Sequence, residues 1–232
     1  MPYSYYYGFD PLYLILVLPA ILISLIAQIR VSSSFSKYSK VFAPLTGEEA
    51  ARKVLEMNGV TGVRIERVKG NLSDHYNPKT NTIRLSETVY SANTIAAVGV
   101  AAHEAGHAVQ YALGYSPIKL RSVIYPVSSI GSKLSVPLVI AGIIFSFPIL
   151  IDIGIIFFIL ALIFQLVTLP VEFNASKRAL QSLEEGLILP NPQDLKGAKK
   201  VLSAAAMTYV AAVIVSLAQL LRLLAIAGNR RD

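Results

Sequence analysis

From Leu12 to Ile29 the chain is apolar except for Ser24 and Gln28, with Pro19 inside the run. At about 1.5 Å per residue, a helix of that length crosses roughly the 30 Å hydrocarbon core of a bilayer. Leu134–Ile151 and Ile153–Val171 are two more such runs, and Val201–Ala227 is a fourth, interrupted by Gln219 and Arg222. A mean hydropathy of +0.56 is too high for an ordinary soluble domain. These runs predict a mainly α-helical, multi-pass membrane protein with a small α+β domain between its spans.

The spans divide the chain. Residues 1–30 form an N-terminal tail and the first transmembrane helix. The tail holds Tyr3, Tyr5, Tyr6, Tyr7 and Phe9 without a Lys or Arg, which suits an interface belt and not a secretory signal. Residues 31–133 are a polar region, and 134–171 read as a helical hairpin through the bilayer. Ser146-Phe147-Pro148 and Asp152-Ile153-Gly154 mark its turn. Residues 172–200 are polar again, and 201–232 carry a C-terminal helix that either spans or lies in the interface.

Within 31–133, Thr46-Gly-Glu-Glu49 reads as a capping box opening a helix that Asn58-Gly59 closes. Val63–Val68 and Thr82–Leu85 read as short strands around the turn Asn77–Asn81. Asn93 or Ser91 is expected to cap a helix from about Thr94 to Leu113, which Gly114 ends.

The net charge of +7 raises nucleic acid as a partner. However, no dense basic run with interleaved aromatics exists, and the basic residues flank the apolar segments. No nucleic-acid partner is expected; the bilayer is. The first 29 residues lack basic side chains, whereas both polar segments are rich in them. The positive-inside rule therefore places the N-terminus outside and residues 31–133 and 172–200 in the cytoplasm of a prokaryotic-type inner membrane. Arg222, Arg230 and Arg231 strain that scheme if the fourth helix spans.

The chain has no cysteine, so any metal site must use His, Asp or Glu, and its histidines are His75, His103 and His107. His103-Glu104-Ala105-Gly106-His107 lies inside the expected helix. Residues four apart share a helical face, so both imidazoles can reach one zinc ion. Glu104 stands beside them, where it can take a proton from a water that zinc has acidified. A structural zinc site usually closes with four protein ligands, whereas a carboxylate inside the motif suits catalysis.

A third ligand must be a carboxylate, because no further His follows the motif. Glu172 and Asp152 compete. The motif helix precedes the hairpin, and Glu172 is where the hairpin returns to that side. Asp152, at the expected turn, would lie about 30 Å away across the bilayer. It serves only if the motif helix is itself deep in the membrane, as in a site-2-type intramembrane protease. The stretch before His103 is too short for that, so the geometry favours Glu172.

Ser73-Asp-His-Tyr-Asn-Pro78, Ile83-Arg-Leu-Ser86, Ala101-Ala-His-Glu-Ala-Gly-His-Ala108 and Leu169-Pro-Val-Glu-Phe-Asn-Ala-Ser176 together resemble the YugP-type membrane zinc metallopeptidases, in order and over nearly the whole chain. A more distant similarity is to the HtpX and CAAX-processing membrane proteases. The resemblance implies a gluzincin arrangement, with one Zn²⁺ per chain, ligands His103, His107 and Glu172, and Glu104 as base. Asn174 departs from it, standing where an Asp would be expected. His75 and Arg178 are further candidates, for the oxyanion or for contacts near the site. The expected function is hydrolysis of peptide bonds in membrane or membrane-proximal protein substrates. A non-catalytic, zinc-stabilised membrane adaptor is the alternative from another class.

Overall fold

A computed structural model describes residues 11–228. The Tyr-rich tail, Arg230 and Arg231 fall outside the described residues. A π-helical turn, Tyr13–Val17, leads into α1 (Leu18–Tyr38). Then follow α2 (Gly47–Met57), β1 (Arg64–Val68), β2 (His75–Asn77), β3 (Thr82–Ser86), α3 (Glu87–Tyr90) and α4 (Ile95–Ala112). The long helices α5 (Ser116–Ile144), α6 (Pro148–Glu185) and α7 (Pro192–Gly228) complete the chain. Four helices, Tyr13–Tyr38, α5, α6 and α7, are long and apolar enough to cross a membrane. The C-terminal helix is thus among the candidate spans.

The chain divides into two compact units. One gathers the chain up to Ala27, Leu120–Leu169, and the chain from Thr208 onward. In it α5 and α6 pack as an antiparallel hairpin through small residues. A Cβ on Gly131 would lie 3.1 Å from the carbonyl oxygen of Phe157, and one on Gly154 would lie 2.8 Å from that of Ser135. Such close backbone approach is how helices associate where lipid removes the hydrophobic drive. Ile15, Leu22, Leu25 and Ile26 on the first helix, and Ile144, Phe145 and Ile149 around the hairpin tip, are exposed. Lipid tolerates such side chains and water does not.

The hairpin turn is shorter than the sequence indicated. Asp152-Ile153-Gly154 lie inside α6, not in the turn. Pro148 starts the helix, since its missing N–H costs nothing in the first turn. Gly154 is a packing residue and not a breaker.

The other unit comprises Gln28–Lys119 and Pro170–Met207. Its sheet has the order β1-β3-β2, with β1 and β3 parallel and β2 antiparallel to β3. Ile83 and Leu85 of β3 pack with Val54, Val89, Val98 and Leu183 in a core that α4 runs through. The Thr46 capping box is present in full: its side chain accepts from Glu49 N–H while Glu49 reaches back to Thr46 N–H. Thr94, not Asn93 or Ser91, caps α4, accepting from Ala97 N–H. The short strand β2 was not anticipated.

Helix α4 is buried on nearly every side because it is built from small residues. Ala97, Ala101, Ala102 and Ala105 have no exposed surface. A Cβ on Gly99 would touch that of Ala198 at 3.5 Å, and one on Gly106 would meet the Ala175 carbonyl oxygen at 2.7 Å. The first part of α7 and the last part of α6 therefore cross α4 at close range, and the second crossing brings Glu172 beside the histidines.

Candidate metal centre

His103 and His107 lie one turn apart on α4 with ring centroids 4.7 Å apart. Glu172 faces them from α6. Its Oε2 is 3.3 Å from His103 Nε2 and 3.6 Å from His107 Nε2. Among the described residues these three form the group that could hold a metal ion, their ligand atoms all within 4.8 Å of one another. Two donors bound at about 2.0–2.1 Å and at a tetrahedral angle stand about 3.3–3.4 Å apart, and the carboxylate-to-imidazole spacings are close to that. Asp152 is not a member of the group and belongs to the other unit.

The distal nitrogens are held as well. His103 Nδ1 is 3.1 Å from Ser176 Oγ. His107 Nδ1 is 3.0 Å from Gln110 Oε1, and Gln110 Nε2 donates to Val171 O at 2.8 Å and to Asn174 Oδ1 at 3.0 Å. Arg178 Nε donates to the same Asn174 oxygen at 2.8 Å. Asn174, the departure noted in the sequence, is therefore an acceptor for two donors, which an amide oxygen satisfies without a charge. Sequence reading assigned no role to Gln110 or Ser176. Each lies on the same helical face as a ligand, three residues after His107 and four after Glu172, and that spacing is the signal that could have found them.

Glu104 is buried, with 8% of its surface exposed. Burial pushes its carboxyl up to about 7, against the pull of His103. The carboxylates of Glu172 and Asp74 push the same way, and a hydrogen bond from Tyr76 N–H opposes them. That bond comes from β2, an edge strand of the sheet, which therefore runs beside the buried acid. Asp74 precedes β2, and its oxygens accept from Ser86 N–H at 2.7 Å and Ser86 Oγ at 3.0 Å, pinning β2 to the end of β3.

The remaining sequence candidates are not members of the ligand group. His75 is exposed on β2, with Nδ1 donating to Ser73 O at 2.8 Å. Arg178 is engaged by Asn174.

Comparison with known proteins agrees with the chemistry of this donor set. Residues 13–228 match the family described as "Putative neutral zinc metallopeptidase". The chain is 47% identical to the "Putative membrane protease YugP" of Bacillus subtilis (strain 168), over 95% of this chain and 99% of that one. No solved structure matches it.

Proposed function

This chain belongs to the neutral zinc metallopeptidase family, and on that premise we propose that it is a membrane-bound zinc endopeptidase of the gluzincin type. One observation carries the reading: two imidazoles and a carboxylate converge at zinc-ligand spacing, with a second, buried carboxylate next to them. His103, His107 and Glu172 are proposed to hold one Zn²⁺, leaving a position open. When bound there, zinc would polarise the scissile carbonyl and acidify water.

The chain's own residues do the rest. Glu104 takes the proton from the attacking water and delivers it to the departing amine. A carboxyl held near neutrality suits both halves of that transfer, since it gains and releases the proton at little cost. Tyr76 N–H keeps the carboxylate oriented while it is ionised. An extended peptide lying along β2 would run past Glu104.

Four candidate spans support substrates drawn from membrane or membrane-proximal proteins. The basic flanks support placing the unit of Gln28–Lys119 and Pro170–Met207 on the cytoplasmic side. The test is cleavage of a membrane-protein substrate by the purified chain. Activity should be abolished by chelation, restored by zinc and lost in Glu104→Gln, whose amide cannot take the proton; that variant should retain zinc, because Glu104 is outside the ligand group. A chain that binds zinc and cleaves nothing would leave the adaptor alternative.

A further inference from the structure

Gln110 has no exposed surface, and both ends of its hydrogen-bond chain fix its orientation. Val171 O can only accept, so the Gln110 atom 2.8 Å away is its amide nitrogen. The Arg178 guanidinium can only donate, so the Asn174 atom 2.8 Å away is its oxygen, which must in turn accept from Gln110 Nε2. Gln110 Oε1 then faces His107 Nδ1 at 3.0 Å and can only accept. The proton of a neutral His107 therefore sits on Nδ1, and the lone pair sits on Nε2, the atom directed at Glu172. At His103 the corresponding partner does not fix the tautomer, because Ser176 Oγ can either donate or accept.

We propose that Gln110 is a positioning residue: it presets His107 in the metal-binding tautomer and ties that ring to the main chain adjoining Glu172. Two ligands from different helices are then presented as one hydrogen-bonded unit. The assignment rests on His107 and Glu172 as ligands but not on peptidase activity.

The direct test is ¹⁵N NMR of the full-length, metal-free protein, histidine-labelled, in detergent, with the pH raised until the histidine signals no longer change. The His107 signals are identified by their loss in His107→Ala. The expected spectrum shows Nδ1 protonated and Nε2 bare; a proton on Nε2 overturns the proposal. Zinc affinity by chelator competition is the second readout. Gln110→Leu should weaken binding about 10–100-fold, the usual cost of losing a ligand's hydrogen-bond partner. A folded Gln110→Leu chain that binds zinc as tightly as wild type also overturns the proposal. If that variant does not fold, the wild-type tautomer alone decides. A chain that gives both expected results but cleaves no peptide keeps Gln110's role and overturns only the catalytic reading.

Discussion

Gly106 and Ala175 are in backbone contact: a Cβ on Gly106 would lie 2.7 Å from the Ala175 carbonyl oxygen. Gly106 sits between the two histidines, and Ala175 between Glu172 and Ser176. This one crossing therefore sets the distance from the imidazoles to the carboxylate. In an isolated helix Gly→Ala is favourable by about 1 kcal/mol. Here the new methyl meets backbone, which cannot rotate away, and overpacking costs about 1–3 kcal/mol. Gly106→Ala should therefore melt at a lower temperature than wild type and bind zinc at least about tenfold more weakly, as the helices part. Calorimetry and chelator competition measure the two effects. A variant with raised melting temperature and unchanged zinc affinity would show that the crossing has slack.

The buried acid makes a pH prediction for the metal-free chain. Glu104 is raised from 4.5 to about 7 by burial. Between those values the folded chain keeps a proton that the unfolded chain has released. Stability then falls as pH rises through that window and levels off above it. Glu104→Gln has no such proton, and the other titrating groups are common to both chains. The stability advantage of the glutamine variant should therefore widen from about pH 4.5 to about pH 7. Unfolding curves across that range, with chelator present, report it. An advantage that shrinks with rising pH would mean that the ionised carboxylate is stabilised where it lies.

Sidedness is open to a chemical test, because the chain has no cysteine. Lys40 and Lys196 are exposed residues of the unit that carries the candidate site. Cysteines placed there should resist impermeant thiol reagents in intact cells and react after lysis. Labelling from outside would reverse the proposed orientation.

The parts of this structure written in local pattern were legible in the sequence. The Thr46–Glu49 box opens α2 because both partners lie within one turn. The motif helix α4 emerged from its small-residue run and the Gly114 stop. The apolar runs marked all four candidate spans, although α5 begins at Ser116, within the stretch read as polar, and not at Leu134. Features that depend on distant partners were not legible. Strand β2 is only His75–Asn77, too short for an alternating pattern, and exists because β3 pairs with it and Asp74 bonds Ser86. Gly154 reads as a turn signal until Ser135 is seen against it. Gln110 reads as a polar interruption of an apolar stretch until Val171 and Asn174, from a helix far along the chain, close around it.

Zinc content after removal of each candidate carboxylate tests the central claim most directly. Glu172→Ala deletes one of three protein bonds and a full negative charge beside a dication, so zinc affinity should fall by orders of magnitude. Asp152→Ala changes a residue of the other unit, outside the ligand group, and should leave about one zinc per chain. Metal analysis of both purified variants gives the answer. Zinc lost from Glu172→Ala and kept in Asp152→Ala is the predicted result; zinc kept in Glu172→Ala and lost from Asp152→Ala would contradict the account.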